Sequence, residues 1–225
     1  MKRFWTNVTV EEGAIFLDAR PVKTPGRVTL RLPIALAEAV ADEWRAVGEK
    51  IDPRTMPLTG LSNAAIDRPP EATTLAVYAE TDLLCYRAET PLPLVDRQAA
   101  IWDPLLDWAR TRYDVAFHVT AGIIHKAQPP ETIARLDRAV SALSAFERTA
   151  MSPLITIGGS LVVALMLYEK AIEPDAAFDA CHLDELWQAE LWGEEWMAAD
   201  ARAARRADFL ATAKFLELLD EKVMR

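Results

Sequence analysis

Cysteine is scarce in this sequence: Cys85 and Cys181 are the only two in 225 residues, far apart and each in an apolar or helical context. That excludes a disulfide-stapled fold and leaves two buried thiols, which suits a reducing compartment. Positive charge is also short, with 25 Lys and Arg against 34 Asp and Glu and a formal net charge of -9. A chain so acidic has no sequence-independent grip on nucleic-acid phosphates or anionic lipid, because both need clustered cations. The three histidines, His118, His125 and His182, are scattered, and no Cys or His pair has the spacing of a zinc site.

Phosphate-binding loops are missing as well. There is no G-x-x-x-x-G-K-[ST] and no G-x-G-x-x-G after a strand, so neither nucleotide hydrolysis nor any cofactor is expected. Ser160, in Ile157-Gly158-Gly159-Ser160-Leu161, lacks the G-x-S-x-G elbow of a nucleophile, and its flanks read as one apolar helix in which the glycines permit close packing.

One uncharged stretch, Thr149 to Tyr168, has the length of a membrane span. Ser152, Pro153, Thr156, Gly158, Gly159 and Ser160 dilute it, and no aromatic belt or basic cluster flanks it. A buried central helix is therefore expected, with no integral membrane segment. A membrane-attached factor anchored by this stretch is the reading that fractionation without detergent would separate. The N-terminus runs at once into a strand-like segment with no apolar or amphipathic targeting sequence, which predicts a cytoplasmic, bacterial protein.

What is present is a composition, 51% hydrophobic and 26% charged, that supports an ordinary packed core. Between Phe4 and Leu32, apolar and β-branched runs at 4–10, 14–17 and 27–32 alternate with turn signals at Glu11-Glu12-Gly13, Asp18-Ala19-Arg20 and Pro25-Gly26, the pattern of a small antiparallel sheet. A helix follows from Pro33 to Gly48, with Leu36, Val40, Trp44 and Val47 on one face and Trp44 toward the sheet.

Beyond it the spacing is mostly helical, predicting helices over 57–68, 70–82, 92–113, 130–146, 153–170, 174–193 and 194–222, with short strands at 83–86 and 115–119. The expected fold class is α+β: a small N-terminal antiparallel β-rich domain with one helix, residues 1–55, packed on a larger, mostly α-helical domain, residues 56–225.

The segment that stands apart is Leu183 to Gly193. On a helical wheel Leu183, Leu186, Trp187 and Leu191 form an apolar stripe, Glu185, Gln188 and Trp192 fall opposite, and Glu190 lands within the stripe. Tryptophan on both sides of an acidic helix means either burial on two faces or an aromatic and acidic surface offered to a partner. Glu190, if buried, must be paired; otherwise it is a helix-end residue reaching to water.

Several segments, in this order, resemble the ATP12 family of F1-ATPase assembly chaperones. They are N-V-T-V-x-x-G from Asn7, L-A-E-A-V-A-D-E-W ending at Trp44, T-M-P-L-T-G-L-S-N-A-A-I-D ending at Asp67 and T-D-L-L-C-Y-R ending at Arg87. W-D-P-L-L-D-W from Trp102 to Trp108, L-D-E-x-W-Q-x-E-x-W-G from Leu183 to Gly193, and the A-R-A-A-R-R-A-x-F-L run from Ala201 complete the set. The resemblance spans nearly the whole chain.

It implies an ATP-independent chaperone, without catalysis, that binds the free α subunit of the F1 ATP synthase, shields its β-facing surface and hands it over for α3β3 assembly. It also implies a monomer when free; mitochondrial relatives would carry a presequence absent here. Site residues carry over as partner-binding: Asp184, Glu185, Trp187, Gln188, Glu190, Trp192 and Gly193, with Leu186 where relatives often have a third acid. Read as an exposed acid, Glu185 changed to Lys leaves the fold intact and weakens partner binding. The alternative is a hydrolase-like enzyme using Asp184 or Glu190 in an interdomain cleft, a reading with no nucleophile, metal or cofactor signature behind it.

Overall fold

The computed structural model of the chain describes residues 2–219. The chain divides into two compact units, each described by itself. The first comprises residues 1–70, 144–150 and 211–225, and the second residues 71–143 and 151–210. The division after residue 55 remains a proposal about where an independent N-terminal domain ends.

In the first unit, β1 (Val8–Glu11) and β2 (Ala14–Leu17) form an antiparallel hairpin in which Val8 faces Leu17 and Glu11 faces Ala14. The turn is Glu12-Gly13, both at positive φ (49° and 78°), the geometry that matches strand twist in two-residue hairpins. β3 (Arg20–Pro21) adds to β2. The run 27–32, expected as a strand, does not form a ladder: it is held by the bonds Leu30 N to Val22 O and Leu32 N to Gly13 O and by bridges at Thr29 and Arg31. α1 (Ile34–Ala46) buries Leu36, Ala37, Val40 and Ala41 against β1 and β2, and Trp44 meets Trp5 edge-on at 5.3 Å.

Two carboxylates fix α2 (Pro57–Asp67) in this unit. Glu43 of α1 accepts from Leu58 N, Thr59 N and Thr59 Oγ1 at 2.7, 2.8 and 2.6 Å, capping the first turn of α2. Burial pushes the Glu43 carboxyl above its usual range despite those donors. Asp67, the last residue of α2, accepts from Thr24 Oγ1 and Gly26 N at 2.7 Å each. The first unit thus contains α2 because its ends are tied to α1 and to the Pro25-Gly26 turn.

The second unit is helical. It contains α3 (Ala72–Ala76), β4 (Tyr86–Arg87), α4 (Leu92–Tyr113), β5 (Thr120–Ala121), α5 (Pro130–Ser141), α7 (Leu161–Tyr168), α8 (Pro174–Cys181) and α9 (Leu183–Trp192). α6 (Ala145–Gly158) and α10 (Trp196–Leu218) contribute residues to both units. The last residues of the helix expected over 194–222 lie outside the described residues.

The short strands differ from expectation. Leu83–Cys85 is a 3-10 turn, and pairing begins only at Tyr86, which faces Thr120 in parallel register. Residues 115–119 form no strand, and the residues that pair with β4 are Thr120 and Ala121 just after them.

The apolar stretch is two helices rather than one. α6 starts at a capping box, in which Glu147 Oε2 accepts from Ser144 N at 2.6 Å and Ser144 Oγ from Glu147 N at 3.3 Å, so Pro153 lies inside the helix rather than at its start. It stops at Gly158-Gly159, where Gly159 takes φ +70°, and Ser160 then caps α7 through Val163 N. Every residue from Leu161 to Leu167 is buried, so α7 is the central helix, apolar on all sides. Among the described residues no helix is long and apolar enough to cross a membrane.

Asp82, fully buried, closes this arrangement. Its carboxylate accepts from Leu84 N at 3.1 Å and Val162 N at 3.0 Å, and it is further held by the Ser160 hydroxyl and Leu161 N–H. A carboxylate at the first turn of α7 meets the positive end of that helix, yet burial dominates and its pKa is pushed up to about 6. Cys85 and Cys181 are both free, and burial raises both thiols, Cys85 to about 12.

Candidate partner-binding site

All of the residues singled out between Asp184 and Gly193 belong to α9 and its C-terminal cap, within the second unit. α9 follows α8 with His182 at the junction, so the single helix expected over 174–193 is two. Leu183 is buried, Leu186 and Trp187 are half-buried, and the expected apolar stripe turns outward at its end: Leu191 is 54% exposed.

The acids of α9 are occupied by neighbours. Asp184 Oδ1 accepts from Gln98 Nε2 of α4 at 2.7 Å, while Gln98 Oε1 accepts from Ala88 N at 2.7 Å. Gln98 is 1% exposed, so one buried amide joins α9 to the segment after β4. Glu185 sits between two arginines of α10, 3.3 Å from Arg202 Nη1 and 2.6 Å from Arg205 Nη2. Arg202 also pairs with Glu194. Glu185 is therefore half-buried and neutralised, not the free surface acid expected from the sequence.

Glu190 is exposed and ion-paired rather than buried. Arg97 Nη1 of α4 lies 2.9 and 2.8 Å from its two oxygens, and the same guanidinium covers the Trp187 ring at 4.8 Å. Trp102, 1% exposed, donates its indole N–H to Ala180 O at 2.8 Å and ties α4 to the end of α8. Arg206 of α10 pairs with Asp175 and Asp179 at 2.6 Å each. Helices α4 and α10 thus clamp α8 and α9 through charged hydrogen bonds.

Gln188 and Trp192 face solvent, and Gly193, at φ 82°, ends α9 where an L side chain would be strained. α10 begins within three residues. Across this turn the large apolar side chains are bare: Trp192 is 77% exposed, Trp196 71% and Met197 60%. Trp196 and Met197, which begin α10, and Arg97, Gln98, Arg202 and Arg205 belong to this site without standing out as site residues in the sequence. The Arg pair was visible in the A-R-A-A-R-R run, whose i, i+3 spacing puts both on one helix face.

Among the described residues no group of His, Cys, Asp or Glu could hold a metal ion.

Solved structures share this architecture over almost its whole length. The crystal structure of Atp12 from Paracoccus denitrificans matches with a TM-score of 0.90 at 41% identity, covering 97% of this chain and 98% of that one. This chain belongs to the ATP12 family. The profile of the ATP12 chaperone protein family itself matches residues 2–110. An Agrobacterium tumefaciens protein named as a candidate chaperone matches over 97% of this chain and 86% of its own, with a TM-score of 0.91 at 37% identity. The mitochondrial protein atp12 of Schizosaccharomyces pombe is 27% identical over 214 residues, covering 85% of this chain and 74% of its own. The N-terminal ATP12 profile stops inside α4, so α9 and the corner after it are matched by the whole-chain likenesses rather than by the profile.

Proposed function

We propose that this ATP12-type assembly chaperone binds the free α subunit of the F1 ATP synthase, shields the surface that later meets β, and releases it for α3β3 assembly without using ATP. The observation that carries this reading is the whole-chain likeness to Atp12 of Paracoccus denitrificans at 41% identity. An α subunit before assembly exposes apolar surface destined for its β neighbours, and such surface aggregates unless it is held. We place the partner-binding surface on the α9 segment, with Asp184, Glu185, Trp187, Gln188, Glu190, Trp192 and Gly193, and take the free chaperone as a cytoplasmic monomer.

Release follows from competition: the incoming β subunit binds α more tightly than the chaperone does. The test is purified complex titrated with β. Displacement of the chaperone as β rises supports the handover; a complex that persists at every β concentration overturns it.

A further inference from the structure

The α9 segment divides into residues that hold it in place and residues that remain available. Asp184 is bonded to Gln98, Glu185 to Arg202 and Arg205, and Glu190 to Arg97, so three acids are used within the second unit. Trp187 has a ring face covered by Arg97. The unused apolar groups lie just beyond, where Leu191 and Trp192 end α9 and Trp196 and Met197 begin α10, each at least 54% exposed.

The charge left unpaired beside this corner is negative. Glu195 and Asp200 are exposed and form no ion pair among the described residues. Asp200 stands one helical turn after Trp196, on the same face of α10. Two anchors of the type that dominates interface energetics, tryptophans, are thus set beside uncompensated carboxylates.

We propose that Leu191, Trp192, Trp196 and Met197 form the contact surface of this chaperone, and that it receives an apolar patch on the client edged by lysine or arginine. The braced acids Asp184, Glu185 and Glu190 act as positioning residues that present this corner. This rests on the chaperone reading above and names the chemistry of its contact. A second copy of the chain is the wrong occupant: a two-fold contact here would set Glu195 and Asp200 near their own copies, on a molecule already carrying -9. The basic rim supplies what the carboxylates lack.

The test uses the full chain with two probes: the F1 α subunit of the same organism, and a synthetic amphipathic helix of leucine and lysine. Trp192→Ser with Trp196→Ser is expected to weaken binding of both by about tenfold or more, the loss typical of interface anchors. Glu195→Lys with Asp200→Lys is expected to weaken both by about threefold to tenfold and to flatten the salt dependence of the association. All four side chains are exposed, so circular dichroism and the thermal midpoint stay those of the parent.

If the wild type binds the peptide through the corner but not α, the client identity fails and the surface chemistry stands. If it binds α and the tryptophan variant binds α within twofold, the surface assignment is wrong and the chaperone reading stands. A wild-type dimer that the tryptophan variant dissolves would give the corner to a second copy and overturn the proposal, as would a wild type that binds neither probe.

Discussion

Arg97 places one guanidinium nitrogen 2.9 and 2.8 Å from the two carboxylate oxygens of Glu190, with its Cζ over the Trp187 ring at 4.8 Å. Two residues 93 positions apart thereby fasten the last turns of α9 to α4. The pair is solvent-exposed, so its worth is about 0.5–1 kcal/mol, to which the ring contact adds a similar amount. Arg97→Ala is expected to leave the global unfolding midpoint nearly unchanged while amide hydrogen exchange speeds up in residues 186–193. A double-mutant cycle with Glu190→Ala measures the coupling directly.

Glu185→Lys behaves differently from an ordinary surface reversal. It sets a third cation beside Arg202 and Arg205, the first of which is only 13% exposed. The expected cost is about 1–3 kcal/mol, because Arg205 loses its partner, Arg202 is left with Glu194 alone, and both meet repulsion. Urea denaturation checks it: a midpoint equal to wild type would mean that Glu185 is not a brace.

Asp82 makes stability fall as pH rises. Its folded pKa is raised to about 6 by burial, against about 3.9 in an unfolded chain. Between those values the folded state holds the extra proton, so unfolding free energy declines from about pH 4 to pH 6 and is flat in this contribution outside that window. The fall amounts to about 3 kcal/mol. Asp82→Asn should remove this slope, and lower stability throughout because the amide nitrogen that replaces one carboxylate oxygen cannot accept, which strands either the Leu84 or the Val162 N–H. Denaturation of both proteins across pH 4–7 gives the difference; parallel curves would contradict it.

Gln98→Leu tests the buried bridge. The substitution strands the Ala88 N–H and removes the donor to Asp184, an expected loss of about 1–3 kcal/mol. Gln98→Glu keeps the acceptor but sets a carboxylate against Asp184, so its cost should shrink on acidification where Gln98→Leu shows no such recovery.

Much of this was legible in the sequence. The alternating runs before Pro33 and the 3.6-residue spacing after it identify the α+β class, because one buried face imposes its period on the chain. The hairpin at Glu12-Gly13 and the helices α1, α2 and α4 followed. Helix breaks were harder to see: Pro153 looked like a start, whereas the Ser144-Glu147 box starts α6 and Gly159 ends it. The short strands were displaced because four apolar residues, Leu83 to Tyr86, satisfy a 3-10 turn as well as a ladder.

At the candidate site, composition marked α9 but not its partners. Gln98 and Arg97 are 86 and 93 residues away from Asp184 and Glu190, and no local pattern encodes such pairings. For the same reason Glu185 looked like a free charge, and Trp196 and Met197 looked like the start of an ordinary helix.

The most direct test is co-expression of the full chain, affinity-tagged, with the F1 α and β subunits of the same organism, followed by quantification of what it retains. The account predicts recovery of α without β, together with more soluble α than in cells lacking the chaperone. Recovery of β instead, or of neither subunit, would contradict it.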